Sequence, residues 1–222
     1  MSSLPILHET RHWLAINKPA GLNVEQLYDY PSVEARVAEY LRQQGVRNPY
    51  VGIVHRLDRP VSGVLLVAKR KSALRHLNAQ FAERRVQKTY WAITETAPAE
   101  RATTLEHLIR KDQRAKRAEI VPRPQKGAVR GRLRYEYVQR TTHGHWLKVW
   151  PATGKFHQIR VQLAALGTPI IGDAKYGASL PDEADCIALH AAALVFVDPL
   201  NDQQLEITAP SPARAVWNNV KS

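Results

Sequence analysis

The densest group of reactive side chains in the sequence lies at residues 55–63 and includes His55, Arg56, Asp58 and Arg59. Apolar runs flank this group on both sides, which predicts a polar loop at the end of two strands. If the loop is extended, Arg56 and Asp58 point to one side of the chain and Arg59 to the other. A carboxylate among cations stays ionised, as a nucleophile must. An ion-paired turn fits the same residues, so the cluster by itself leaves both interpretations open.

A second polar cluster lies at residues 154–160, in a stretch that predicts a helix over 156–166. On that helix Phe156 and Arg160 would share one face, and so would His157 and Arg160. An amphipathic helix with a solvated polar side explains the same spacing. This cluster therefore indicates a basic helical face without assigning chemistry to it.

The sequence lacks the spacing patterns of several other enzyme classes. Nine histidines are present, but no spacing brings a second and a third metal ligand together, and H-E-x-x-H is absent. Ser62 is not in a G-x-S-x-G turn, and neither common glycine-rich phosphate loop occurs. A single cysteine, Cys186, excludes a disulfide framework. A metal-dependent hydrolase is therefore the least favoured class, and no metal is expected.

Positive charge is concentrated in two segments of the chain. The 222 residues include 32 Lys and Arg against 20 Asp and Glu, a formal net charge of +12. Residues 69–88 carry seven Lys and Arg against one acid, and residues 110–140 carry eleven against three. Two such segments favour a polyanionic partner, because Lys and Arg release counterions from phosphates. A solvated surface is the alternative.

Strands and helices that could position these clusters do not alternate strictly. Strands are predicted at 13–16, 51–54, 64–68, 133–137, 146–150, 188–197 and 205–208. Helices are predicted to begin at the capping residues Ser32 and Ser72, over 156–166, and after Ser211-Pro212. This pattern predicts an α+β fold with a mixed, largely antiparallel central sheet and flanking helices and loops. Residues 98–130 are the least regular stretch, predicted to be an insertion or an RNA-contacting arm.

Five ordered segments resemble the motifs of one enzyme family. They are Asn17–Gly21, His55–Gly63, Lys88–Ala92, Thr153–Val161 together with Pro169–Gly177, and Leu189–Ala191. Together they resemble the RluA-type RNA pseudouridine synthase family over residues 11–210. The resemblance implies a single pseudouridine synthase catalytic domain over 1–222. It also implies no separate N-terminal RNA-binding domain, because the motifs begin by residue 11.

The chemistry of that family assigns roles to the matching positions. The resemblance implies an isomerase that detaches uracil from its ribose, rotates it and rejoins it through carbon 5, with no cofactor. It implies a catalytic set of Asp58, Tyr90 and Arg160, in which Asp58 is the catalytic carboxylate and Tyr90 packs against the target base and acts as a general base. It also implies that Arg160 is the basic residue that pairs with Asp58.

Four further positions are predicted to bind the substrate. The resemblance places Leu189 beneath the uracil ring and makes Arg56 a candidate for the space left by the extruded base. His55 and Arg59, beside them in the same motif, are also predicted substrate-binding residues. Chemistry on a stacked base requires flipping it into a pocket, at a cost of a few kcal/mol. Where the family commonly has His, this chain has Gln162, so substrate contacts are expected to differ.

The expected substrate is a specific uridine in tRNA or rRNA. The alternative is a catalytically silent RNA-binding or ribosome-assembly protein on the same fold, which would not require Asp58, Tyr90 and Arg160 together. No stretch approaches the ~20 apolar residues of a membrane span. Residues 1–5 lack the basic and apolar regions of a signal peptide. A cytoplasmic monomer with no membrane partner is therefore expected.

Overall fold

The computed structural model of the protein describes residues 4–27 and 30–220. Residues 1–3, part of the segment inspected for a signal peptide, lie outside the described residues. The chain divides into two compact units, which we call unit 1 (Met1–Lys88 and Ala191–Pro210) and unit 2 (Thr89–His190 and Ser211–Ser222). The single catalytic domain over 1–222 stays a prediction.

Strands outnumber helices in the described residues. In chain order the elements are β1 (Ile6–Glu9), β2 (Trp13–Lys18), α1 (Val33–Gln43), β3 (Gly52–Ile53), β4 (Ser62–Ala68), α2 (Lys71–Ala82), β5 (Gln87–Thr94), β6 (Ala102–Asp112), β7 (Arg117–Val121), β8 (Ala128–Arg140), β9 (His145–Pro151), α3 (Gln158–Ala165), a 3-10 helix (Ala174–Tyr176), β10 (Leu189–Val197), β11 (Gln204–Thr208) and a second 3-10 helix (Ala215–Trp217). The strand ladders within each unit are antiparallel. The predicted α+β class with a largely antiparallel sheet is confirmed. No helix of the described part is long and apolar enough to cross a membrane.

Unit 1 is built around two buried strands. Its strand order is β1-β2-β4-β10, with β3 paired to β4 and β11 paired to β10. β2 and β4 pair along their whole length, from Trp13 opposite Ala68 to Lys18 opposite Gly63. Both are continuous apolar runs, and Leu77 of α2 packs into the same core as Trp13. β4, which begins at the end of the polar loop, is therefore held in the core of unit 1 along its pairing with β2.

Helix starts follow the sequence in one case and depart from it in another. The Ser32 hydroxyl accepts a hydrogen bond from Ala35 N–H, which confirms Ser32 as the cap of α1. The predicted cap at Ser72 is wrong, because α2 begins at Lys71 and Ser72 lies inside its first turn. The helix predicted after Ser211-Pro212 is reduced to the short 3-10 helix Ala215–Trp217.

Unit 2 contains an antiparallel sheet in the order β5-β9-β8-β6-β7. Leu133 and Tyr135 of β8 are buried while their neighbours along the strand are exposed, as the alternating sequence predicts. The prediction that residues 98–130 are the least regular stretch is wrong for most of it, because β6 and β7 form a regular hairpin there, and the predicted contact with RNA stays a prediction. Leu105 and Ile109 of β6 are buried on one face of the strand, but His107 lies between them on that face, so the sequence lacks the run of alternating apolar residues that would have identified the strand.

α3 begins two residues later than the sequence predicts, at Gln158. His157 adopts a left-handed conformation with φ 51°, so neither Phe156 nor His157 belongs to the helix. The shared helical face predicted for them is therefore wrong. The Gln158 side chain explains this, because its Oε1 accepts a hydrogen bond from the Thr153 hydroxyl (2.7 Å) and ties the preceding turn to the first residue of the helix.

Candidate active site

Asp58 lies on an anchored turn in the loop between β3 and β4. The side chains of Leu57 and Val61 are buried in unit 1 and anchor the loop to it, whereas Asp58 is partly exposed. The Val61 N–H donates to the Asp58 carbonyl at 3.0 Å, which closes the turn. The backbone that carries the Asp58 carboxylate is therefore fixed on both sides.

Lys18, at the end of β2, clamps this loop from the interior. Its side chain is fully buried, and its Nζ donates to the carbonyls of Pro19 (2.9 Å), Leu22 (2.8 Å) and Arg59 (3.1 Å). Gly21 N–H also donates to the Arg59 carbonyl at 2.8 Å. A buried ammonium is tolerated only when it is hydrogen-bonded in this way. Sequence reasoning assigned Lys18 no role, although the segment Asn17–Gly21 could have drawn attention to it.

Gly63 carries the chain from the loop into β4, next to β10. Its φ is +119°, and a Cβ atom built there would overlap the backbone oxygen of Ala191. Only glycine adopts this conformation without strain. Gly63 therefore allows the chain to pass from the loop into β4 close to the backbone of β10.

His55 contacts two elements of unit 1, the strand β4 and the helix α2. Its Nε2 accepts a hydrogen bond from Leu66 N–H of β4 (3.1 Å), and its ring stacks on Phe81 of α2 with centroids 4.8 Å apart. Burial, and then the nearby Lys88 ammonium, lower the pKa of His55 to about 3. The ring is therefore neutral at physiological pH and acts here as a support for the loop. Its predicted contact with substrate stays a prediction.

The two arginines that flank Asp58 are exposed and make contacts within unit 1. Arg56 forms a salt bridge with Glu25, with Nη1 to Oε2 at 2.7 Å. Arg59 donates from Nε to the Gly21 carbonyl at 3.1 Å. Exposed pairs of this kind contribute little stability. Both arginines are thus placed at the surface beside Asp58, where their predicted substrate contacts stay predictions.

Arg160 of α3 is held in a buried ion pair in unit 2. Its Nε donates to Oδ2 of Asp173 at 2.7 Å, and its Nη2 donates to Oδ1 of Asp173 at 2.8 Å. Both side chains are at least 95% buried. Sequence reasoning did not predict this partner, although Gly172-Asp173 lies in a segment that carried the family resemblance. The predicted pairing of Arg160 with Asp58 stays a prediction.

Tyr90 and Leu189 also belong to unit 2. Tyr90 is a partly buried residue of β5 opposite Val149 of β9. Leu189, at the start of β10, is 3% exposed, and its N–H donates to the Ile187 carbonyl at 2.8 Å. The neighbouring His190 is fully buried against the rings of two tryptophans. Tyr90 and Leu189 are therefore both carried by strands, β5 and β10, and their predicted contacts with the base stay predictions.

The predicted site residues fall into two sets. His55, Arg56, Asp58 and Arg59 lie together on one loop of unit 1, and Tyr90, Arg160 and Leu189 lie in unit 2. The assembly of the two sets into one site stays a prediction. Within the described residues, no group of three or more His, Cys, Asp or Glu side chains is placed to hold a metal ion.

Gln162 links α3 to the sheet of unit 2. It is fully buried, and its Nε2 donates to the Leu105 carbonyl (3.3 Å) and lies 3.0 Å from His107 Nδ1. Burial lowers the pKa of His107, which favours a neutral ring in this contact. Gln162, one position at which the sequence is expected to depart from the family pattern, is thus a packing position between α3 and β6.

The family to which the chain belongs follows from sequence comparison. The family model described as RNA pseudouridylate synthase matches residues 12–165, which include Asp58, Tyr90 and Arg160. The chain therefore belongs to the RNA pseudouridylate synthase family. The family predicted from the motifs is confirmed, and the predicted enzyme class, an isomerase, is the class that this family defines.

Individual relatives are similar over most of this chain. The ribosomal large subunit pseudouridine synthase C of Vibrio cholerae is 34% identical over 214 residues, covering 94% of this chain and 66% of the relative. The protein of the same name from Escherichia coli is 33% identical over 218 residues, covering 92% of this chain and 66% of the relative. The chain thus spans 66% of the length of these relatives.

Solved structures share the fold. Human RNA pseudouridylate synthase domain containing 4 superposes with a TM-score of 0.76 at 25% identity, covering 94% of this chain and 89% of that one. Human RNA pseudouridylate synthase domain containing 1 gives a TM-score of 0.74 at 28% identity, covering 94% and 84%. These neighbours support the fold class assigned from the strand pairing.

Proposed function

We propose that this protein converts specific uridines in RNA to pseudouridine, with Asp58 as the catalytic carboxylate. The observation that carries the proposal is the family match over residues 12–165, which contains Asp58 in the motif His55–Gly63. The anchored turn supports it, because a nucleophile must be held in place while the substrate binds. Tyr90, Arg160 and Leu189 are proposed to contact the base or Asp58 during the reaction.

The proposed substrate is ribosomal RNA of the large subunit. Relatives from Vibrio cholerae and Escherichia coli carry that substrate in their names, and both are at least 33% identical to this chain. The basic hairpin β6–β7 supports an RNA partner, since Arg114, Lys116 and Arg117 at its tip are exposed. The same substrate supports a cytoplasmic location. A monomer without cofactor or metal is the simplest form of the proposal.

Asp58→Asn tests the catalytic role directly. The amide keeps the size of the side chain but is a far poorer nucleophile and base. We expect normal folding and loss of pseudouridine formation to below about one-thousandth of the wild-type rate. Asp202→Asn is the matched control, because Asp202 is an exposed turn residue of unit 1. Residual turnover of Asp58→Asn above that level would remove Asp58 from its role.

Mapping of pseudouridine across total RNA identifies the substrate. A strain that lacks the protein is compared with its parent and with a strain that carries Asp58→Asn. Loss of a pseudouridine site in large-subunit rRNA in both the deletion strain and the Asp58→Asn strain would support the proposal, and loss of sites in tRNA alone would overturn its substrate. A catalytically silent RNA-binding protein predicts unchanged pseudouridine in all three strains.

A further inference from the structure

Tyr176 connects two parts of unit 2 that the proposed function uses separately. It is the last residue of the 3-10 helix Ala174–Tyr176, which directly follows Asp173. Its ring contacts Arg160, and its hydroxyl contacts the edge strand β7. Tyr176 lies in the segment Pro169–Gly177 that carries the family resemblance, which implies no role for this side chain.

The aromatic ring fixes one face of the Arg160 guanidinium. The Cζ atom of Arg160 lies 5.0 Å from the ring centroid of Tyr176, within the range of a cation–π contact. Asp173 holds the same guanidinium through Nε and Nη2. Because a planar group is constrained in its plane and on its face, the orientation of Arg160 depends on where Tyr176 lies.

The hydroxyl of Tyr176 attaches this arrangement to β7. It accepts a hydrogen bond from Ala118 N–H at 2.6 Å and lies 2.8 Å from His157 Nδ1. Ala118 follows Arg117, which begins β7 at the end of the basic tip, our name for residues 112–117. The tip is tied to the 3-10 helix a second time, because Lys175 Nζ donates to the Lys116 carbonyl at 3.1 Å.

Apolar packing makes the attachment stiff. Ile109 and Ala118 of the hairpin form a buried cluster with Val161 of α3, and the Tyr176 ring packs against this cluster together with Phe156. Close-packed side chains transmit displacements because they leave no space to absorb them. A displacement of the basic tip would therefore move Tyr176 and, with it, the support of Arg160.

We propose that Tyr176 is a positioning residue that couples RNA binding at the basic tip to the orientation of Arg160. This inference rests on the proposed function, since it requires that the tip contacts RNA and that Arg160 takes part in the reaction. Tyr176 contacts Arg160, which is proposed to take part in the reaction, and β7, which carries the end of the basic tip. The coupling therefore changes the rate at which bound RNA reacts.

The first test is Tyr176→Phe, which keeps the ring beside Arg160 and removes the hydroxyl that contacts Ala118. Tyr137→Phe is the matched control, because Tyr137 has Arg101 over its ring (5.8 Å) and His145 Nδ1 near its hydroxyl (3.4 Å). At saturating enzyme we expect the single-turnover rate constant of Tyr176→Phe to fall about tenfold, the value of one to two hydrogen bonds. The rate constant of Tyr137→Phe should stay at the wild-type value. A wild-type rate for Tyr176→Phe would overturn the inference.

The second test separates coupling from a general structural role. The double substitution Arg114→Gln with Lys116→Gln removes charge from the tip, and we expect it to lower the single-turnover rate constant of the wild-type background at saturating enzyme. In the Tyr176→Phe background the same substitution should have no further effect on that rate constant, although RNA binding is still weakened. Independent multiplicative effects in the two backgrounds would overturn the coupling.

Failure of the proposed function would give a different result. If the wild-type protein modifies no RNA, the function is wrong, and the coupling is then measured by amide hydrogen exchange. RNA binding should slow exchange in the α3 segment (residues 158–165) of the wild type and leave it unchanged in Tyr176→Phe. Equal slowing in both proteins would overturn the coupling whether or not the protein is an enzyme.

Discussion

The neutral His55 ring, at the start of the polar loop of residues 55–63, makes the stability of the protein depend on pH in a calculable way. Burial and the Lys88 ammonium lower its pKa from 6.5 to about 3 in the folded state. Below pH 6.5 the unfolded chain therefore binds a proton at this residue that the folded protein does not. Stability linked to His55 is fully present above pH 6.5 and is lost as pH falls from 6.5 towards 3.

The magnitude follows from the two pKa values. Between pH 7 and pH 5 the folded state keeps His55 neutral while the unfolded state becomes protonated, which costs about 2 kcal/mol of unfolding free energy. We expect His55→Gln to lack this loss, because glutamine can still accept the Leu66 N–H without titrating. Other groups titrate equally in both proteins, so the difference between them isolates His55.

Urea unfolding at pH 5, 6 and 7 measures this difference. The wild-type free energy of unfolding should fall about 2 kcal/mol more than that of His55→Gln over this range. An NMR titration of the His55 ring should show no protonation in the folded protein down to pH 5. Parallel pH profiles of the two proteins, or a ring that titrates near its ordinary pKa, would refute the reasoning.

Three further substitutions test the frame of the site by urea unfolding. Lys18→Met keeps the length of the side chain but removes the donor to three carbonyl oxygens, so we expect a loss of about 2–4 kcal/mol; a neutral effect would contradict the clamp. Gly63→Ala should cost at least about 3 kcal/mol because of backbone strain and overlap, whereas Gly127→Ala, with φ +79° and open space around it, should cost only about 1 kcal/mol. Equal costs for the two glycines would refute the close approach at Gly63. Asp173→Asn should cost about 3 kcal/mol because it breaks the buried pair with Arg160, and an unchanged free energy of unfolding would show that the pair does not hold α3.

Local signals in the sequence predicted much of unit 1. The continuous apolar runs of β2 and β4 predict buried strands, and Ser32 predicts the start of α1, because these features depend on neighbouring residues alone. The polar loop at residues 55–63 was recognisable for the same reason, since its charges interrupt two apolar runs. The role in catalysis that we propose for this loop rests on the family resemblance, because an ion-paired turn has the same composition.

Tertiary contacts decided the elements that sequence reasoning misjudged. The β6–β7 hairpin is polar along most of its length, and it is stabilised by packing on α3 through Ile109 and Ala118. The start of α3 is set by the Gln158 side chain and by the left-handed conformation of His157, which no helical periodicity contains. Such features depend on residues that are distant in sequence or on side-chain geometry. The periodicity of apolar residues contains no information about either.

The partner of Arg160 illustrates the same limit at the candidate site. A buried arginine requires a carboxylate, and the chain contains 20 acidic residues that could supply one. Asp173 is selected because the turn after Ile170 brings it to α3, where its two oxygens match Nε and Nη2 of Arg160. The contacts with Asp173 and with the Tyr176 ring lie within unit 2, and they hold the Arg160 guanidinium before RNA binds. This support lowers the entropic cost of ordering Arg160 during the proposed reaction, and the inferred coupling through Tyr176 leaves its final orientation to RNA at the basic tip.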